Sequence, residues 1–155
     1  MSWRGWTLLV TALLIGAAIG VGSFTFVYAK GYSYLSNDPA TCANCHIMDE
    51  HYAAWVKSSH RLAATCNDCH TPHDFAGKWM VKGKNGFWHS FYFTTGNFPY
   101  PLRITPPNHQ VVEGACRNCH ERITGFVDHA SHASGGRAEA LHCTRCHRYV
   151  GHWVR

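Results

Sequence analysis

All eight cysteines of this chain fall into four pairs, Cys42/Cys45, Cys66/Cys69, Cys116/Cys119 and Cys143/Cys146, and each pair is followed at once by a histidine: His46, His70, His120 and His147. The pattern C-x-x-C-H is the attachment signature of haem c. Two thiols three positions apart on a short helical turn can reach the two vinyl groups of one porphyrin and form thioether bonds, and the next residue aims its imidazole at the iron. Structural zinc also uses C-x-x-C pairs, and adjacent C-x-x-C disulfides are redox-active rather than structural. One copy would leave those readings open. Four copies that use every cysteine, each with His in the same place, favour four covalently bound haems c.

Haems also answer a question of stability. Hydrophobic residues make up 46% of the chain, but they are unevenly spread. One long apolar run fills the first thirty residues, and the rest is rich in His, Gly, Pro and Asn with no sustained helical or strand periodicity. Such a domain lacks the aliphatic side chains to build its own core. The expected fold is therefore mainly α with much irregular structure and strand content close to nil: an anchor helix over 1–30, then a tetrahaem cytochrome c domain over 31–155 whose core is filled by haems. The motifs begin at 42, 66, 116 and 143, at intervals of 24, 50 and 27 residues, which suggests two diheme units joined by a longer insert. Short helices are expected after each attachment site. Loops are expected at Asn37-Asp38-Pro39, Pro99-Tyr100-Pro101, Thr105-Pro106-Pro107-Asn108 and Ser131 to Ala138.

From Trp6 to Ala29 the chain runs 24 residues without a charge, bracketed by Arg4 and Lys30. At ~1.5 Å per residue this gives about 36 Å of helix, enough for a hydrocarbon core of ~30 Å. Trp3 and Trp6 at one end and Tyr28, Tyr32 and Tyr34 at the other are placed like the aromatic belts of a spanning helix. A cleaved signal peptide is the competing reading, with Val27-Tyr28-Ala29 as an acceptable cleavage site, but the run exceeds the roughly 7–15 apolar residues of a signal. Gly16-Ala-Ala-Ile-Gly20 is a G-x-x-x-G pattern that would let two such helices self-associate. Haem c is handled on the outer side of the bacterial cytoplasmic membrane. A single-pass topology therefore puts the N-terminus inside and the haems on the periplasmic face.

The formal charge of +5 does not indicate a nucleic-acid partner, since no Lys/Arg block accompanies it. Four haems would also add roughly eight propionate charges of the opposite sign.

The anchor followed by four attachment sites, the first reading Cys42-Ala-Asn-Cys45-His46-Ile-Met48, resembles the NapC/NirT/NrfH family of membrane quinol dehydrogenases over essentially the whole chain. Cys66-Asn-Asp-Cys69-His70-Thr-Pro-His73 and Cys143-Thr-Arg-Cys146-His147-Arg-Tyr-Val-Gly-His152 match it as well. The resemblance implies a protein that oxidises menaquinol in the membrane and passes two electrons, one at a time, along its haems. Within the family the chain is most similar to the branch that serves a pentahaem-type nitrite reductase catalytic subunit, in the respiration of nitrite to ammonium. Other readings are a NapC-type protein feeding nitrate reductase or several acceptors, a non-catalytic haem wire, and a haem-based sensor of small ligands.

Nine histidines lie outside the motifs, at 51, 60, 73, 89, 109, 129, 132, 142 and 152, and low-spin haems need distal ligands. The resemblance implies His60 for the fourth haem and His152 for the third. For the second it leaves an internal His, with His132 slightly favoured over His129, or a lysine from the partner subunit. At the first haem it implies that Met48 replaces His46 as proximal ligand and leaves the sixth position weak or open. It also singles out Lys82 and position 89 for the quinol. Members of the family carry aspartate at 89, where this chain has His89, an imidazole able to accept a proton near neutral pH or to ligate the first iron itself. The competing reading of the Lys78 to His89 stretch is an amphipathic surface segment anchored among lipid headgroups.

Overall fold

A run of apolar residues with no acceptor for its backbone must satisfy its own hydrogen bonds, and α1, Trp3–Tyr28, does so over 26 residues. Ser2 caps it, its Oγ accepting from the Gly5 N–H at 3.3 Å. None of its residues is buried, and an 18-residue window reaches a mean hydropathy of 2.1, long and apolar enough to cross a membrane. Lys30 ends the helix in the left-handed conformation, φ 51°. A turn over Gly31–Leu35 then folds back on α1. A Cβ at Gly31 would stand 2.5 Å from the Phe26 ring, so a larger residue there would require that ring to move. The computed structural model describes residues 2–133 and 142–153, and the side chains of these except 128–133. Packing divides the chain into Met1–Ser36 and Asn37–Arg155.

The second unit opens with two 3₁₀ turns, Pro39–Asn44 and His46–Met48, and continues through α2 (Asp49–Val56), α3 (Cys66–His70), α4 (Phe75–Thr95), α5 (Pro106–Cys119), α6 (Glu121–Ala133) and α7 (Cys143–Cys146). Among the described residues there is no strand, so the mainly helical reading holds. Helices follow the first three motifs, as expected, but α4 is long, 21 residues, started by Asp74 Oδ1 accepting from Gly77 N–H at 2.7 Å and stopped by Gly96 at φ 67°. The expected loop at Thr105–Asn108 is instead the start of α5. Thr105 is the N-cap and Pro106 the first helical residue, a position whose N–H needs no partner and whose φ proline already fixes. The loop expected from Ser131 also begins later than read, since α6 runs to Ala133; 134–138 lie outside the described residues.

Helix α5 packs on α3, and α7 packs on α5. What these contacts enclose is small. Among the described residues the one buried hydrophobic side chain is Ala115, and the buried polar ones are Thr71, Lys82 and Glu113. A fold of this kind is positioned by polar fixtures and by whatever its cysteines bind, because apolar burial is too slight to do it.

Candidate functional site

The four motifs are built on two plans. In the second, Thr65 and Asp68 form a reciprocal cap and α3 runs unbroken through Cys66, Cys69 and His70. In the third, Cys116 and Cys119 end α5 and His120 follows at φ −108°, ψ 27°. In the fourth, α7 carries both cysteines and His147 follows it. The first motif departs from this. Its turn ends at Asn44, Cys45 is extended (φ −97°, ψ 116°), and His46 opens a separate turn that closes at Met48. The His46 ring lies edge-on to Phe93, centroids 6.4 Å apart.

Side by side, the motifs form a series in chain order. The turn of the first motif packs on α3, α3 packs on α5, and α5 packs on α7.

Lys82 stands beside the first motif. It is 7% exposed, donates from Nζ to Asn37 Oδ1 at 3.2 Å and lies 5.3 Å over the Trp79 ring. Asn67 Nδ2 donates to the same Asn37 oxygen at 3.2 Å, tying this contact to α3. Burial, then the charge of Lys78, lowers the Lys82 ammonium from its ordinary range. His89 follows two turns later on the same face of α4, about 10 Å along the axis. It keeps solvent access, yet the protein packed around it lowers its imidazole below the usual range.

Histidine rings gather in pairs. His60 faces His120, centroids 6.1 Å apart, and its Nδ1–H donates to the Val150 carbonyl at 2.9 Å. His152 faces His70, centroids 5.9 Å apart and planes within 5°. His51 stands edge-on to His152 at 4.9 Å. Burial foremost, then His152, His51 and His89, pushes His70 down to about 4, so it is a neutral imidazole, the form that binds metals. His73 is spent otherwise: Nε2–H donates to the Asp68 carbonyl at 2.9 Å and Nδ1 accepts from Asn118 Nδ2 at 2.6 Å.

The fourth motif is held by a carboxylate. Glu113 accepts from the Cys143 N–H (2.8 Å), the Thr144 N–H (3.2 Å) and the Thr144 hydroxyl (3.0 Å). These bonds outweigh desolvation and hold its carboxyl below the usual range. His109 Nε2–H donates to Thr144 Oγ1 at 2.9 Å. His109, Glu113 and His142 bring possible ligand atoms within 4.8 Å of one another, but the carboxylate is committed to α7.

Comparison with known proteins decides the family. A model of the NapC/NirT cytochrome c family, N-terminal region, matches residues 3–155. The chain belongs to that family. It is 34% identical to the cytochrome c-type protein NrfH of Wolinella succinogenes, over 93% of this chain and 86% of that one. It is 31% identical to the cytochrome c nitrite reductase subunit NrfH of Nitratidesulfovibrio vulgaris, over 90% and 82%. A chain in the crystal structure of a cytochrome c nitrite reductase NrfHA complex bound to the HQNO inhibitor superimposes with TM-score 0.63 at 29% identity, covering 92% of this chain and 90% of that one.

For a NapC/NirT cytochrome c the donor set is apt. No described cysteine is in a disulfide. Two imidazoles that bond one metal from opposite sides at ~2 Å each leave their centroids roughly 6 Å apart, and the two ring pairs stand at 6.1 and 5.9 Å. The pairs are not those the resemblance implied, however. His60 was expected at the fourth haem and faces the third motif; His152 was expected at the third and faces the second. The reason is the C-terminal segment, which passes beside both α3 and the His60 loop and so serves two motifs at once. His132 and its alternative His129 lie on α6, but their side chains fall outside the described residues. Sequence reasoning missed Glu113 and the part Asn37 plays. A single buried acid three residues before a C-x-x-C cannot be told from a surface one by spacing.

Proposed function

We propose that this chain is the quinol-oxidising electron-transfer subunit of a membrane-bound cytochrome c nitrite reductase. What chiefly supports the reading is the series of motif-bearing elements packed in chain order, the first turn on α3, α3 on α5 and α5 on α7, with a buried lysine at its first member. The four cysteine pairs would hold four haems c, which when bound would supply one-electron transfer. His70, His120 and His147 would hold the irons of the second, third and fourth haems, and His60, whose ring stands beside that of His120, would hold the third as well. At the first haem the extended Cys45 separates His46 from the helical turn its counterparts follow, which favours Met48 as ligand.

Oxidation of menaquinol would release two electrons, which the bound haems would take one at a time, and two protons, which would pass through nearby protein bases to solvent. Lys82 Nζ, already desolvated and held by Asn37, is positioned to hydrogen-bond the quinol oxygen. His89, neutral near pH 7, accepts a proton and returns it to solvent. Helix α1 anchors the chain in the cytoplasmic membrane with its N-terminus inside. The haem domain then lies on the periplasmic side, where a pentahaem catalytic subunit receives the electrons.

The test follows haem reduction optically in the detergent-extracted protein supplied with a menaquinol analogue, wild type beside His89→Ala. Rapid reduction in wild type and a loss of roughly 100-fold in the variant are expected, that being the scale of acid–base assistance. A wild type reduced by dithionite but not by quinol would leave a haem wire with another donor.

A further inference from the structure

The C-terminal segment reaches back to motifs far away in the chain. The Val150 carbonyl fixes the tautomer of His60 by accepting its Nδ1–H at 2.9 Å. Two residues on, the His152 Nδ1 lies 3.4 Å from the Trp153 carbonyl. A donated Nδ1–H leaves Nε2 with its lone pair, the arrangement metal-bound histidines commonly show. The ring stands parallel to that of His70 at 5.9 Å, close to the ~6 Å of two imidazoles on opposite sides of one metal. His51 sits edge-on to His152 at 4.9 Å, as a neighbour of that ring.

We propose that His152 is the second axial ligand of the haem held by Cys66, Cys69 and His70. This chain therefore completes its second haem from its own C-terminal segment and takes no lysine from a partner subunit there. The inference rests on the haem assignment proposed above. It implies that the second haem is six-coordinate and low-spin in the isolated chain, before any catalytic subunit docks.

The experiment takes the full-length protein in detergent, without a partner. It counts haem per chain by the pyridine haemochrome assay and reads the spin state of the ferric irons by electron paramagnetic resonance. Wild type, His152→Ala, His152→Met and His51→Ala are compared. Wild type is expected to carry four haems. In His152→Ala one additional haem becomes high-spin, and added imidazole returns it to the low-spin state. In His152→Met that haem stays low-spin but gains the near-infrared band of a sulfur-to-iron bond, which keeps the test alive if the alanine variant does not accumulate. His51→Ala leaves the spectrum as in wild type. Unchanged spectra in both His152 variants, or conversion in His51→Ala instead, overturn the proposal while four haems per chain leave the functional reading standing. Fewer than four haems in wild type defeat the functional reading itself.

Discussion

Two buried charges of opposite sign mark the two ends of the motif series, and they are held in opposite ways. Glu113, 8% exposed, is met by two backbone N–H groups and a hydroxyl, so its surroundings favour the charged form. Lys82, 7% exposed, is met by an amide oxygen and the face of an indole while burial and Lys78 work against its charge. A charge saturated with donors is a fixture. A charge held at a cost is available to a ligand that offers something better. The contrast separates an end of the protein that is built to stay put from an end that is built to bind.

The comparison breaks most easily at Glu113. Glu113→Ala leaves the Cys143 and Thr144 N–H groups without their acceptor and is expected to cost about 2–4 kcal/mol, on the scale of a lost charged hydrogen-bond cluster. Denaturant unfolding of the haem-loaded protein would measure it, and a cost under about 0.5 kcal/mol would show that α7 is held by something else. Next in size, Lys82→Met is expected to slow quinol-dependent haem reduction by roughly 10–100-fold while reduction by dithionite and the unfolding midpoint stay as in wild type. A variant that unfolds early but still takes electrons from quinol would make Lys82 a fixture too.

A smaller effect concerns pH. Because the folded Glu113 carboxyl lies below its ordinary value of 4.5, the unfolded chain binds its proton more readily. Its contribution is therefore fully present above about pH 4.5 and is lost as pH falls through the folded value. Acid unfolding of Glu113→Gln should show a shallower dependence in that range; identical slopes would refute the assignment. Smallest of all is His73→Ala. Both its ring nitrogens are bonded to Asp68 and Asn118, so the substitution is expected to cost about 1 kcal/mol and to leave the haem spectra untouched. A change in any haem's spin state would place His73 among the ligands.

Much of the fold was legible beforehand wherever the determining chemistry is local. The spanning length and charge-free interior of α1 follow from its own residues, and so do the short helices that carry C-x-x-C. The Thr105–Asn108 stretch misled because two prolines signal a loop and a helix start equally well, and Thr105 ahead of them settles it only once α5 has something to pack against. Lys82 and His89 were visible in sequence as a mixture of bases and aromatics. That Lys82 is buried against Asn37, forty-five residues away, was not.

By itself the sequence determined where this protein can bind haem, since attachment needs two thiols and an imidazole within five consecutive residues, and it determined which helix can cross a membrane, since that depends on one uninterrupted apolar run. The tertiary structure decided which histidines face one another. The partners His60 and His120, or His70 and His152, come from elements sixty or more residues apart, and only the packing of α3, α5 and the C-terminal segment brings their rings to about 6 Å. It also decided that the first motif differs from the other three, because one extended residue, Cys45, redirects a histidine that the sequence spells in the same way as the rest.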